Sequence, residues 1–225
     1  MKGLFSNGVK AVVLDLVPEF ERAQGTKLAI TWASTNMLMD EIRNGATGDL
    51  AILTDEAIDE LIRQGKVVAG SRVDLARSAI GIAVRAGAAK PDIGTPDALK
   101  KALLAARAIS YSKTGISGIY FPTVLARLGI ADAVKIVIPP PGVLVGEVVA
   151  KGEADLGVQQ ISELLPVAGI EIVGQLPAEL QKLTVFSAGL FVGAKEALAA
   201  KALVMTLTSG AARPLYQRKG MEPVA

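Results

Sequence analysis

Three polar segments of this chain combine Ser, Thr, Asn and Gly in the order typical of a strand that ends in a loop before a helix. They are residues 5–8 (Phe-Ser-Asn-Gly), residues 32–36 (Trp-Ala-Ser-Thr-Asn) and residues 110–120 (Ser-Tyr-Ser-Lys-Thr-Gly-Ile-Ser-Gly-Ile-Tyr). Such a loop leaves backbone N–H groups free at the positive end of the next helix dipole, where they bind anions. We therefore expect the segments to hold one small anionic solute through uncharged donors.

The predicted ligand-binding residues come from these segments and from a glutamine pair further along the chain. They are Ser6, Asn7, Gly8, Ser34, Thr35, Asn36, Ser117, Gly118, Gln159 and Gln160. Ser, Thr and Asn are also the preferred helix caps, so each segment has a purely structural interpretation as well. The recurrence of such segments after three strands favours binding, because ligands of open α/β sheets lie at the carboxyl ends of the strands.

Composition excludes several classes of chemistry. The 225 residues include no Cys and no His, which removes thiol catalysis, thiolate metal sites and every Ser-His-Asp mechanism. Net charge is +2, and both signs are scattered along the chain, so no nucleic-acid partner is predicted. We predict no metal site and no cofactor.

The elements that must position these residues alternate between short apolar strands and amphipathic helices. Helices are predicted over residues 9–24, 36–44, 55–64, 96–106, 119–128, 143–151, 195–208 and 211–218. Strands are predicted over residues 3–6, 28–32, 50–53, 108–111, 134–138, 155–158 and 170–173. The Pro-Pro-Pro-Gly segment at 139–142 is expected to be a stiff, extended joint.

Alternating strands and helices indicate an α/β fold with parallel sheets. Two apolar runs without helical spacing, residues 73–84 and 183–193, are predicted to cross between two lobes. We therefore expect two doubly wound lobes joined by two crossover strands, with a ligand cleft between them. Lobe I would comprise residues 1–79 and 185–225, and lobe II residues 80–184.

Short motifs along essentially the whole chain resemble the molybdate-binding-protein-like class of bacterial periplasmic solute-binding proteins. They are Ser6-Asn7-Gly8 before a helix, Phe20-Glu21 with Gly25, Ala33-Ser34-Thr35-Asn36, Gly45-Ala46 with Asp49-Leu50, Gly152-Glu153-Ala154-Asp155 with Gly157, and Gly220-Met221. The resemblance implies a type II periplasmic-binding-protein fold, a periplasmic location, and delivery of the solute to the permease of an ABC-type transporter. A monomer is expected.

The chain departs from this class at one ligand position. Molybdate binders of the class use small hydroxyls, backbone amides and a tyrosine after the strand that follows the Gly-Glu-Ala-Asp motif. In this chain Gln159 and Gln160 stand at that place. Because amides supply both donors and acceptors, we expect an organic carboxylate in preference to molybdate.

Two other functions remain open at this point. Some relatives of the class resemble isomerases of a tricarboxylic acid such as aconitate, which need a base beside a carboxylate and donors for the enolate. Without histidine, Glu163 is the first candidate base, followed by Lys113 or Tyr111. A cytoplasmic anion sensor is the third possibility, because residues 1–8 show no basic segment followed by an apolar core.

Several other polar residues have structural interpretations. Arg77 is expected to pair with Asp74 or to reach the ligand. Ser162 is expected to cap a short helix, and Asp49 to order its own loop.

Overall fold

The structure is a computed structural model that describes residues 1–140 and 143–224. The chain forms two compact units, one comprising Met1–Ser78 with Thr184–Ala225 and the other Ala79–Leu183. Part of the predicted Pro-Gly joint, residues 141–142, lies outside the described residues.

Strands and helices alternate along most of the chain. The first part contains β1 (Lys2–Ser6), α1 (Lys10–Gln24), β2 (Ala29–Ala33), α2 (Thr35–Arg43), β3 (Leu50–Thr54), α3 (Asp55–Arg63) and β4 (Val73–Ser78). The middle part contains β5 (Ile80–Arg85), α4 (Pro96–Ala105), β6 (Ile109–Tyr111), α5 (Ile116–Arg127), β7 (Ile136–Val137), α6 (Val145–Ala150), β8 (Leu156–Gln160), α7 (Ile161–Leu164) and β9 (Ile170–Gln175). The last part contains β10 (Thr184–Leu190), α8 (Ala197–Leu207), α9 (Arg213–Arg218) and β11 (Met221–Pro223).

The first unit is built on a mixed sheet of strand order β11-β4-β10-β3-β1-β2. Strand β3 is buried along its whole length, and its alternate side chains pack into two different hydrophobic cores. Leu50 and Ile52 pack in a cluster with residues of α1, α8 and α9. Ala51 and Leu53 pack in a cluster with residues of α2 and α3. Helices therefore cover both faces, and strand β3 is apolar from Leu50 to Leu53 because neither face meets water.

The second unit is built on a sheet of strand order β7-β6-β8-β5-β9. Strands β6, β7 and β8 are parallel, and β5 runs antiparallel to β8 and β9. Helices α4 and α5 pack in the larger core, and α6 packs in a smaller one. Among the residues that the structure describes, no helix is long and apolar enough to span a lipid bilayer.

Several predicted bounds differ from the observed ones, and three of the differences concern the segments around the predicted ligand residues. The run 73–84 is two strands that are interrupted at Ala79. Helix α5 begins at Ile116 instead of residue 119, so that Ser117 and Gly118 lie in its first turn. Strand β8 extends to Gln160, because its backbone pairs with β5 (Ile80 with Gln160) whatever the polarity of the side chains.

Asp49 joins its loop to distant parts of the first unit. Its carboxylate accepts hydrogen bonds from the backbone N–H groups of Lys2 (2.7 Å), Lys195 (2.7 Å) and Glu196 (2.9 Å). Burial raises the pKa of Asp49, but the three backbone donors outweigh burial and hold the pKa below its ordinary value. The carboxylate therefore ties the start of β1 to the segment that leads into α8.

We expect Asp49→Asn to lower the free energy of unfolding at pH 7 by about 2 kcal/mol, because the new NH2 group cannot accept a backbone N–H bond. The depressed pKa adds a pH dependence: the stabilisation is present above the unfolded pKa near 3.8 and is lost as the pH falls through the folded pKa. Urea unfolding at pH 7 and pH 3 measures both effects. Asp132→Asn, at an exposed aspartate, is the matched control. Equal stability of the two variants would contradict the assigned role.

Candidate functional site

Three parallel strands of the first unit end at, or directly before, hydroxyl residues at one edge of the sheet. In register, Ser6 at the end of β1 lies beside Ala33 at the end of β2, and β3 flanks β1 on the other side. Ser6 Oγ accepts from the N–H of Gly8 and Ser34 Oγ from that of Met37, each at 3.4 Å. A capping oxygen uses a lone pair, so its O–H remains able to donate to an anion. The structural and the ligand-binding interpretations are therefore compatible.

Thr35 is the polar residue of this edge with an unsatisfied group. Its side chain is 2% exposed, and Oγ1 has no hydrogen-bond partner among the described residues. A buried hydroxyl without a partner costs roughly 1–3 kcal/mol. The neighbouring Asn7 and Asn36 are partly exposed, and Asn36 has an interaction partner.

Gly8 is required by packing. A Cβ atom at this position would lie 2.2 Å from the ring of Phe186. The absence of a side chain lets the turn after β1 rest directly on Phe186, which keeps the N-terminal end of α1 at the sheet edge.

The same edge carries hydroxyl residues that were not predicted as ligands. Thr54 ends β3 and caps α3, with Oγ1 accepting from the N–H of Ala57 at 3.4 Å. Ser78 ends β4 and pairs with Thr184 at the start of β10. Thr54 directly precedes the predicted helix 55–64 and carries the same strand-to-cap signal as Ser6, which could have identified it as a ligand candidate. For Ser78 and Thr184 no local signal exists, because the antiparallel insertion of β10 brings them to this edge.

In the second unit, the ends of β6 and β8 share one sheet edge, with Tyr111 beside Val158 in register. Gln159 and Gln160 end β8 and are 5% and 2% exposed. The Oε1 atom of Gln159 is buried and has no hydrogen-bond partner among the described residues. The Oγ atom of Ser162 is in the same situation, so the predicted cap role of Ser162 was wrong.

Ser117 and Gly118 lie at the N-terminal end of α5, against the loop that follows β6. A Cβ atom on Gly118 would lie 1.7 Å from the carbonyl oxygen of Ser112, which only glycine permits. Ser112 Oγ accepts from the N–H of Gly115 at 3.2 Å and shapes this loop. Gly118 is therefore explained by close backbone packing, and Ser117 is buried beside it.

Glu163 lies in α7, directly after the glutamine pair, and its side chain is partly buried. Burial raises the pKa of Glu163 to about 7, against a hydrogen bond from Gln159 that acts to lower it. Lys113, the other candidate, is exposed on its loop.

Charged groups elsewhere have structural partners. Asp74 binds Arg72 (2.8 Å), while Arg77 lies 3.3 Å from Glu222, so the predicted Arg77–Asp74 pair was wrong. A cavity of about 280 Å³ in the second unit is lined by Arg85 and Leu156, which lie at the sheet edge opposite Gln160. The described residues contain no group of three acidic side chains placed to hold a metal ion.

Comparison with known proteins places the chain among binding proteins. The family model described as bacterial extracellular solute-binding protein matches residues 4–222. A Pseudomonas protein named aconitate isomerase is 36% identical over 231 residues, which cover 98% of this chain and 87% of that protein. The molybdate-binding protein ModA of Azotobacter vinelandii is 29% identical over 161 residues, which cover 68% of this chain and 62% of that protein.

The fold has a solved counterpart. The periplasmic molybdate-binding protein of Azotobacter vinelandii superposes with a TM-score of 0.80 at 23% identity, over 98% of each chain. The predicted α/β fold of the type II periplasmic-binding-protein kind is therefore confirmed, as is the resemblance that led to it. The chain belongs to the family of bacterial extracellular solute-binding proteins, in its molybdate-binding-protein-like class.

Proposed function

We propose that this protein captures a small organic carboxylate in the periplasm and delivers it, as a monomer, to the permease of an ABC-type transporter. Capture would occur by closure of the two lobes on the solute. The ten predicted ligand-binding residues, from Ser6 to Gln160, are its proposed site.

One observation carries this proposal: buried polar atoms lack partners at the strand ends of both units. They are Thr35 Oγ1 in the first unit, and Gln159 Oε1 and Ser162 Oγ in the second. Each unpaired group destabilises the protein without ligand, and a polar solute would satisfy it. All of them are uncharged, so they can hold an anion without a buried ion pair that must separate on release.

An organic acid suits this set of groups better than a metal oxyanion. Molybdate and simple carboxylates offer only acceptors, whereas a hydroxycarboxylate such as citrate also carries an O–H group that can donate to the unpaired Oε1 atom of Gln159. The name of the Pseudomonas relative, aconitate isomerase, also refers to an organic carboxylate.

Thermal-shift measurements with molybdate, tungstate, sulfate, citrate and the two aconitates test the proposal. A ligand present at a hundredfold its dissociation constant stabilises by about 2.7 kcal/mol, which raises the Tm of a chain of this size by roughly 5–10 °C. We expect a carboxylate to give this shift. A shift with molybdate alone would contradict the carboxylate preference, and no shift with any anion would contradict anion binding.

We expect Thr35→Val to separate binding from stability. The valine keeps the shape and removes an unpaired hydroxyl, so the Tm without ligand should stay the same or rise slightly, while affinity falls about 5- to 30-fold. Thr47→Val, at an exposed threonine of the same unit, is the control and should bind like wild type. Unchanged affinity of Thr35→Val would remove Thr35 from the site.

Isomerisation of a tricarboxylate is the second candidate function. Glu163 favours it, because a carboxyl group with a pKa of about 7 is matched to proton transfer near neutral pH. The 36% identity to a protein named aconitate isomerase supports it as well. Exposed Lys113 has no comparable environment.

Proton NMR of cis-aconitate incubated with the protein would reveal the trans isomer. If Glu163 is the base, the rate should rise with pH through about 7, Glu163→Gln should abolish turnover, and Lys113→Gln should not. No conversion by the wild-type protein would exclude this candidate for aconitate.

The raised pKa of Glu163 also predicts a pH dependence of stability. Because the folded pKa of about 7 exceeds the ordinary value of 4.5, stability is full below 4.5 and is lost as the pH rises through 7. The total loss is about 3 kcal/mol, and no histidine titrates in this range. Glu163→Gln should lack this decline in urea unfolding between pH 4.5 and 8, whereas Glu153→Gln, at an exposed glutamate, should retain it.

A further inference from the structure

Gln159, Ser162 and Glu163 form a polar cluster where β8 passes into α7. Gln159 is 5% exposed and donates a hydrogen bond from its amide to the carboxyl group of Glu163. Its other polar atom, Oε1, is buried without a partner among the described residues, as is Ser162 Oγ. The cluster is therefore incomplete, and the missing partner must be polar.

Among the residues that the structure describes, no charged group compensates the burial of Glu163. Helix α7 packs on β5, β8 and β9, whose charged side chains are Arg85 and Glu171. Strand β5 begins at Ile80, which pairs with Gln160, and ends near Val84, which pairs with Glu171. Arg85 and Glu171 therefore lie at the sheet edge opposite Gln160. Glu171 is also paired with Lys90 at 3.0 Å. In the described part of the chain, only burial and the amide of Gln159 set the pKa of Glu163.

The hydrogen bonds that Gln159 and Glu163 can offer a solute depend on whether the carboxyl group of Glu163 carries its proton. An ionised carboxylate only accepts, and the unpaired atom of Gln159 is also an acceptor. With Glu163 ionised, its carboxylate offers an anion no donor and adds a negative charge beside it. Protonation removes that charge and turns one carboxyl oxygen into an O–H donor, which a carboxylate of the solute can accept.

We propose that Glu163, positioned by Gln159, donates a hydrogen bond to a carboxylate of the bound solute, so that capture of one anion takes up one proton. This inference rests on the proposed function, in which a small anion binds at this sheet edge. It adds a role for protonated Glu163 that differs from that of the ionised base required by the isomerase candidate.

The size of the coupling follows from the population that is able to bind. If only the protonated form binds, the apparent dissociation constant is the intrinsic one divided by the protonated fraction. For a group that titrates near pH 7, this fraction is about nine-tenths at pH 6 and about one-tenth at pH 8. Affinity should therefore fall about tenfold over these two pH units.

Isothermal titration calorimetry with citrate and tricarballylate measures this coupling; both are tricarboxylates without a double bond that could isomerise. Titrations at pH 6, 7 and 8, in two buffers of different protonation enthalpy, give the affinity and the number of protons taken up. For the wild-type protein we expect about tenfold weaker binding at pH 8 than at pH 6, and uptake that approaches one proton at pH 8. Each inorganic anion that binds is measured in the same way.

Two variants separate Glu163 from titration of the ligand itself. Glu163→Gln should bind more weakly than wild type at pH 6, because an amide N–H is a weaker donor than a carboxyl O–H. At pH 8 the variant should take up about one proton fewer than the wild type on binding. Glu153→Gln, at an exposed glutamate of the same unit, should match the wild type at every pH. Melting curves establish that both variants are folded.

The possible outcomes are distinguishable. Absence of binding by every anion at pH 6 would contradict the proposed function. Binding by the wild-type protein with the same affinity at pH 6 and pH 8, and without proton uptake beyond that of the ligand, would overturn the coupling alone. An equal pH slope in wild type and Glu163→Gln would assign the proton to another group and would likewise overturn the inference.

Discussion

The structure depends on one constraint: every strand that runs into a helix must satisfy the backbone N–H groups at the start of that helix. In the first unit, Ser6, Ser34 and Thr54 meet this requirement with capping hydroxyls. Because β1, β2 and β3 are parallel, the three caps lie along one edge of the sheet. A requirement of local folding thereby produces a row of neutral donors at the positive ends of helix dipoles.

The second unit reaches a similar result with different chemistry. Its sheet edge combines a glycine-dependent loop, in which Ser112 closes on Gly118, with buried amides at the end of β8. Cations are absent from this set of predicted residues. Specificity would then depend on the match of donors to acceptors, with Glu163 able to change from one to the other by a single proton.

The distribution of unsatisfied atoms links stability to function. Buried polar atoms of Thr35, Gln159 and Ser162 have no partner among the described residues. All three residues lie at, or just after, strand ends where the sequence predicts ligand binding. By contrast, Asp49 is buried with three backbone donors and serves the fold alone. An unpaired buried polar atom at a strand end is therefore a candidate for binding, whereas the unpaired hydroxyl of Tyr216 lies in the hydrophobic core of the first unit.

The sequence by itself determined the alternation of strands and helices, the caps, and the neutral polar loops, because these depend on backbone geometry and hydrogen bonds within a few residues. It also excluded histidine and cysteine chemistry outright. Only the tertiary structure decided that β10 inserts between β3 and β4 and brings Thr184 and Ser78 to the edge that carries Ser6. Likewise, the pKa of Glu163 was decided by what packs around it. Burial and strand order arise from contacts between residues far apart in the chain, which local patterns do not encode.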